Sequence, residues 1–412
     1  MAAVSHPSAA GQVESAPDEN RREAREPARP LRVLVGVQDA GMNGIETYVE
    51  QVAAAARQAG HEVTLVATTE EVAAQVRARL SGTGIAVVAL GLAPTGERRI
   101  FAERLLPQLQ TRRAGVALQK AVATRLGSFD VAHLNRAALA RHAIGAAERL
   151  YVTAWFYPHA PRRRVTETWK HTRGAAARRV VLAAKSLALY AGDRDGYRHA
   201  TRIVACTKTL ADQLREQGLP AEACPPPVRV LGAPTDAPDP TGPLRLLVCS
   251  GDLSHPRKNL SDAVLAARQI AGGGREVVLE AIGRNPDALA RRAGGAARLH
   301  FEALGPLPPE KVHAAMRRAH VFVFPSLYEE WGYVAVESIL SGTPVATYPV
   351  YPFADMLSGK LGVVADGKGP DALAAAILHA TELPRGVTLA DAGARRFGSA
   401  AVGERLTELW SR

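Results

Sequence analysis

Two Rossmann-like α/β domains, each a parallel sheet wrapped by helices and the pair facing a cleft, are what this sequence predicts. Three observations predict them. Short buried-strand patterns alternate with helical stretches from Leu31 onward. The alternation is interrupted by the Pro-, Gly-, Asp- and Thr-rich segment Gly232 to Pro243 (GAPTDAPDPTGP), which reads as a linker. A chain of 412 residues that is 47% hydrophobic can also build a core on each side of that linker.

The elements follow in order. Residues 1–30 are rich in Ala, Ser, Pro, Glu and Arg without periodicity and read as a disordered tail. They lack the apolar stretch of a secretory signal. Leu31 to Val37 (LRVLVGV) is a buried strand, Gln38 to Gly44 a glycine-containing loop, Ile45 to Gln58 a helix closed by Gly60, and Val63 to Ala67 the next strand. Strands at Ile85–Leu90, Val131–Leu134, Tyr151–Phe156 and Arg202–Cys206 continue the series, with a helical stretch from Glu167 to Tyr197 before the last. A second series starts at Leu244, with strands at Leu246–Ser250, Val277–Ile282, Leu299–Leu304, Val321–Phe324, Val345–Tyr348 and Leu361–Val364. Asp391 to Trp410 reads as one amphipathic helix. The resulting division is a tail over 1–30, a first domain over 31–238, a second over 239–385, and a terminal helical segment over 386–412.

Charge narrows the partners. With 51 basic and 40 acidic residues the net charge is +11, which suits a nucleic acid, an anionic membrane or a phosphorylated small molecule. No zinc-finger, RNP or basic-zipper pattern is present, so nucleic acid is not supported. The basic, partly amphipathic segment Arg98 to Arg125 admits peripheral membrane contact or a plain solvated helix face, and Arg162-Arg163-Arg164 is a second basic patch. No apolar run approaches the span of a bilayer. Three cysteines without metal spacing, Cys206, Cys224 and Cys249, fit a reduced cytoplasmic compartment.

The stretch Phe324 to Val345 (FPSLYEEWGYVAVESILSGTPV) carries the most chemistry. Its strand ends at Pro325-Ser326. A helical pattern starts near Gly332 and closes at Ser341-Gly342, with Pro344 beyond. Glu329 therefore lies in the loop before the helix, and Glu337 on the helix after about a turn and a half. Both acids can face a ligand at the helix N-terminus, where free N–H groups attract anionic or oxygen-rich groups. Upstream, GDLSHPRKN (Gly251 to Asn259) follows a strand and brings Arg257 and Lys258 together, a planar fork beside a point charge as suits a pyrophosphate. The bland alternative for each is a solvated helix face or a surface turn. In the first domain, Gly41 and Gly44 allow close backbone approach to a ligand, but the full G-x-G-x-x-G fingerprint is absent, so a nicotinamide cofactor is unsupported. No Asp-x-Asp pair stands at a strand end and no His or Cys cluster has ligand spacing, so neither metal nor cofactor is expected.

Taken with its strand, its Pro-Ser, its aromatic-Gly pair and its SGTPV ending, the Phe324–Val345 stretch resembles the nucleotide-sugar signature of retaining glycosyltransferases of family 4, which have the GT-B fold of two Rossmann-like domains. The resemblance covers Leu31 onward and is strongest from Leu246 to Val364. It implies that Glu337 binds the ribose of a nucleoside-diphosphate sugar, and that Glu329 with the backbone at Trp331, Gly332, Tyr333 and Val334 holds the donor sugar. It implies too that Lys258, with Arg257, holds the diphosphate, that Gly41 and Gly44 lie near donor phosphate and acceptor, and that the last helix returns to the first domain. A histidine near the transferred sugar falls on His159, although strict register gives Trp155; His133 and His159 alike can also be read as packed or capping histidines, the usual fate of a lone one. Members of this type work without a bound metal.

Two departures stand out. Asp252 replaces an expected arginine, and TYPVYPFADML replaces a Gly-Gly pair and Glu, leaving Asp355 near the expected acid. The expected activity is retaining transfer from a nucleoside-diphosphate sugar, uridine by default, to the hydroxyl of a small natural-product acceptor. Trp155, Phe156, Tyr157, Tyr351 and Phe353 suggest a restricted acceptor pocket, or else core. The alternatives are a cell-envelope lipid or polysaccharide acceptor, a sugar phosphorylase, or a non-catalytic partner subunit. Base, sugar and oligomeric state are not legible.

Overall fold

The computed structural model describes residues 29–39, 44–92, 107–155, 176–235 and 241–412. Residues 1–28, Gly41, Phe156, Tyr157, His159 and Arg162 to Arg164 lie outside the described residues, and with them most of the expected tail and the histidine expected near the sugar.

Two parallel sheets are present. The N-terminal lobe comprises β1 (Arg32–Gln38), α1 (Gly44–Gln58), β2 (Glu62–Ala67), α2 (Glu70–Arg79), β3 (Ala86–Ala89), α3 (Pro107–Ala121), β4 (Phe129–Leu134), β5 (Ala147–Ala154), α4 (Ala176–His199), β6 (Arg202–Ala205), α5 (Lys208–Arg215) and β7 (Ala221–Ala223). Its strand order is β3-β2-β1-β4-β5-β6-β7. The C-terminal lobe comprises β8 (Leu244–Asp252), α6 (Leu260–Gly272), β9 (Val277–Arg284), α7 (Asp287–Ala293), β10 (Leu299–Gly305), α8 (Pro309–Arg318), β11 (Val321–Phe324), α9 (Tyr333–Leu340), β12 (Val345–Thr347), α10 (Phe353–Met356), β13 (Gly362–Val364) and α11 (Pro370–Ala380). Its order is β10-β9-β8-β11-β12-β13. In each sheet the winding reverses once, between β1 and β4 and between β8 and β11, and open parallel sheets bind ligands beyond the carboxyl ends of the strands at such a reversal.

The strands form because their apolar runs are buried on both faces: β1, β2 and β9 have almost no exposed side chain. Helix starts are capped where the sequence offers hydroxyls. Thr69 and Thr207 accept from the amides of Val72 and Leu210, starting α2 and α5. One apolar cluster runs through both lobes and joins Val35 and Val49 to Phe322, Phe324 and Ile339.

The amphipathic stretch read as a single helix from Asp391 is two, α12 (Gly386–Phe397) and α13 (Ser399–Trp410), divided at the extended Gly398. The apolar period continues across the break, which hides it in the sequence. α13 lies on the first lobe: Tyr151 donates to the Leu409 carbonyl at 2.6 Å, His61 Nε2 meets Thr407 Oγ1 at 2.7 Å, and the Trp410 ring stands 5.6 Å from His133. The short edge strand β7 was absent from the sequence reading.

The departure TYPVYPFADML is a contact between lobes. The Tyr351 hydroxyl lies 3.3 Å from the Trp155 carbonyl and 3.3 Å from Thr207 Oγ1. Asp355 accepts from the Thr209 amide at 2.9 Å and from its hydroxyl at 3.0 Å, capping α5 from across the gap. Asp355 thus engages a helix of the first lobe. Of the aromatics read as a restricted pocket or else core, Trp155 and Phe353 are buried core residues and Tyr351 is half-buried, while Phe156 and Tyr157 lie outside the described residues. A protein interior takes large aromatic rings as readily as a pocket wall does.

Candidate active site

The loops after β8 and β11 converge at the reversal of the second sheet. The turn after β8 is organised by Asp252, whose carboxylate accepts from the amide and hydroxyl of Ser254 and from the Asn285 side chain. Those hydrogen bonds, Ser254 first and then Asn285, hold its pKa down to about 2. Asp252 is therefore a scaffold group that ties the β8 loop to the β9 loop. A 3-10 turn follows over Pro256–Lys258, with His255 Nδ1 accepting from the Arg257 amide. The Arg257 carbonyl accepts from the Leu327 amide at 2.9 Å, which pins the turn to the loop after β11.

That pinning brings three of the expected residues together. Lys258 Nζ lies 2.5 Å from Glu329 Oε1, and Arg257 Nη1 lies 3.9 Å from Glu329 Oε2. The Glu329 side chain is 7% exposed and that of Lys258 16%, so the pair is largely withdrawn from water and its attraction is little screened. The ammonium also stands 4.9 Å from the centre of the Phe324 ring. Neither Glu329 nor Glu337 is turned out to bulk solvent.

Glu337 lies on α9 with its side chain 19% exposed, and Cys249 feels both its charge and that of Lys258. Burial pushes its carboxyl up to about 7. Its nearest basic group among the described residues is His313 Nε2, 3.9 Å from Oε2, a distance too long for a hydrogen bond.

The step into α9 depends on Gly332, which sits in the left-handed region with φ +87. A Cβ there would stand 3.1 Å from Phe324 Cε1 and 3.3 Å from Phe353 Cε1. Gly332→Ala combines backbone strain with crowding against two packed rings. It should cost about 1–3 kcal/mol, read as a lower denaturation midpoint with unchanged slope. A midpoint equal to that of the parent would show that the turn tolerates a side chain.

The other expected donor residues divide by atom. The Trp331 indole is buried against Phe397, with ring centroids 5.9 Å apart, so the ring belongs to the core. Val334 is half-buried in the first turn of α9. Tyr333 has its hydroxyl buried; that oxygen, Ser326 Oγ and Trp331 Nε1 have no hydrogen-bond partner among the described residues. Three unpaired buried polar atoms between Ser326 and the first residue of α9 are costly. Gly44 opens α1, beyond the end of β1. His133 is a packed residue, its Nε2 2.9 Å from both Tyr48 Oη and Thr153 Oγ1, and burial lowers its pKa to about 3. The sequence reading passed over His313, and it named Tyr351 and Asp355 without their contacts between lobes; each meets partners from distant elements, and no local pattern signals that.

Among the described residues no group of three or more His, Cys, Asp or Glu is placed to hold a metal ion. Among the same residues no helix is long and apolar enough to cross a membrane. The arrangement is suited to holding an oxygen-rich anion: two cations at the turn, a carboxylate between them and the helix, and a second carboxylate poised near neutrality.

Residues 245–382 match the family model of glycosyl transferases group 1, and residues 43–232 match that of the glycosyl transferase 4-like domain. Among curated proteins the chain is 34% identical over 193 residues to a 2-deoxystreptamine glucosyltransferase of Streptomyces kanamyceticus, covering 46% of this chain and 45% of that one. It is 35% identical over 131 residues to a D-inositol 3-phosphate glycosyltransferase of Corynebacterium glutamicum (strain R), 30% of each. The chain thus spans less than half the length of these curated relatives. Among solved structures it is similar to a sucrose-phosphate synthase from Thermosynechococcus elongatus (TM-score 0.61, 18% identity, 93% of this chain and 98% of that one). It is also similar to a glycosyltransferase involved in Avilamycin A biosynthesis (TM-score 0.54, 19% identity, 93% and 98%). At these identities the structural matches establish the fold, GT-B.

Proposed function

Because the chain belongs to the glycosyl transferases of group 1, family 4, we propose that its cleft moves a sugar from a nucleoside-diphosphate donor to an acceptor hydroxyl with retention of configuration. The observation that carries the reading is the Lys258–Glu329–Arg257 cluster at the reversal of the second sheet, with Glu337 on the adjoining helix.

In this reading Glu337 accepts from the ribose hydroxyls, and Glu329 with the amides of the Trp331–Val334 turn accepts from and donates to the sugar. Lys258 and Arg257 meet the diphosphate. Cleavage of the bond between the anomeric carbon and the diphosphate oxygen leaves an oxocarbenium-like centre. The acceptor oxygen bonds that carbon on the same face, and its proton passes to the departing phosphate oxygen. Charge that develops on the leaving group is met by Lys258 and Arg257 in a site with little water, where such stabilisation is strongest. No side chain is needed as base, and these cations are in place to do work that a metal does elsewhere.

The acceptor we propose is a cyclitol. The names of both curated relatives carry one, 2-deoxystreptamine and inositol phosphate, and a small polyhydroxylated ring suits a cleft between lobes. The free cysteines, Cys206 and Cys224 buried among them, fit work in a reducing cytoplasm. A panel of uridine, guanosine and adenosine diphosphate sugars, scored by thermal shift and by transfer to 2-deoxystreptamine and to inositol 3-phosphate, tests the reading. Stabilisation by one donor and a product with the donor's anomeric configuration is expected. Absence of both hydrolysis and stabilisation across the panel would refute it.

A further inference from the structure

We propose that His313 is a positioning residue for Glu337, coupling the seating of the segment between the lobes to donor binding; the inference rests on the reading of Glu337 as the ribose-binding acid. His313 lies on α8 and is 4% exposed. Its Nδ1 accepts a hydrogen bond from the Leu231 amide at 3.0 Å. A ring nitrogen that accepts carries no proton, so the neutral imidazole has its proton on Nε2. That N–H stands 3.9 Å from Glu337 Oε2.

The ring stays neutral because burial, and after it Arg317, lowers its pKa. The other groups felt near this carboxylate are Tyr333 and Cys249, both uncharged at neutral pH. At 3.9 Å, short of a hydrogen bond, the imidazole N–H acts on Glu337 as a dipole whose positive end favours the ionised acid.

Leu231 belongs to the segment that runs from one lobe to the other, and α8 grips it twice. Besides the His313 bond, the Leu231 carbonyl accepts from Arg317 Nη1 at 2.9 Å. The next residue, Gly232, has φ +81, and a Cβ on it would come within 2.9 Å of the Arg317 guanidinium. One imidazole therefore reads the segment with one nitrogen and Glu337 with the other. Lifting Leu231 off α8 frees Nδ1 to take the proton. The lone pair of Nε2 would then face the carboxylate and weaken its hold on the donor.

Two substitutions separate the nitrogens. The amide of His313→Asn reaches the Nδ1 position and can accept from Leu231; that of His313→Gln reaches the Nε2 position and can donate to Glu337. With UDP as probe, and ADP and GDP run alongside, His313→Asn should weaken calorimetric affinity about five- to tenfold while the Leu231 amide stays protected from hydrogen exchange. His313→Gln should hold affinity within about twofold while that amide exchanges faster. Equal losses in both variants would reduce His313 to a packing role and overturn the proposal. Glu337→Ala in the same series distinguishes the failures. If it weakens binding and His313→Asn does not, the His313 inference alone falls; if it binds as the parent does, the ribose reading falls and this inference with it.

Discussion

Lys258→Ala is expected to lower turnover of a nucleotide-sugar donor by about a hundredfold or more, the scale on which removal of one preorganised electrostatic partner acts. Binding of a free nucleoside should suffer much less, because the ammonium matters most as negative charge develops on the leaving phosphate. The same substitution strips Glu329 of its close partner. Arg257 at 3.9 Å would be left to face a carboxylate that is 7% exposed. Breaking a buried pair from one side typically costs about 3–5 kcal/mol, so the variant should also melt earlier. Lys258→Met combined with Glu329→Gln removes both charges at once. It should recover most of the stability and none of the turnover. A Lys258→Ala enzyme that turns over within a few-fold of the parent would dismiss the phosphate role, whatever its stability.

Glu337→Ala should weaken nucleoside-diphosphate binding by about ten- to hundredfold, or roughly 1.5–3 kcal/mol, by deleting hydrogen bonds to a charged acceptor. Its pH behaviour is the sharper test. A carboxyl pushed up to about 7 by burial is partly protonated near neutrality, and the protonated form cannot accept from two ribose hydroxyls as the carboxylate does. Donor affinity should therefore rise as pH rises through about 7 and level off above it, with proton release on binding visible in buffers of different ionisation enthalpy. Stability of the free protein runs the other way. A folded-state pKa above the unfolded one contributes stability that is fully present below the unfolded value and is lost as pH rises through about 7, on the order of 3 kcal/mol. Glu337→Gln keeps the volume and abolishes both trends. A pH-independent affinity in the parent would show that another group binds the ribose.

The Phe324–Val345 stretch was legible because its signals are local. The strand ends at Phe324, the Gly332 turn follows, and α9 carries Glu337, all within the reach of turn residues and helical period. Lys258 and Glu329 were each singled out from their own loops, but their pairing was not read, because it depends on β8 and β11 being neighbours in the sheet. What escaped was set by distance along the chain. Asp355 looked like a pocket acid, yet its partner Thr209 is 146 residues away. Trp155 and Phe353 stayed open between pocket wall and core because no periodicity distinguishes a ring that faces a cleft from one that faces a sheet. His313 is an ordinary buried helix residue by its pattern. Its meaning comes from Leu231, 82 residues earlier.

The carboxylate of Asp355 and the phenol of Tyr351 act together as a latch. Any rotation that parts the two sheets must leave the Thr209 amide without its Asp355 acceptor, at about 1 kcal/mol until water replaces it. A hinge burdened in this way resists gaping at rest. The strength of one aspartate's grip on a foreign helix then sets how firmly the two sheets are held together at rest.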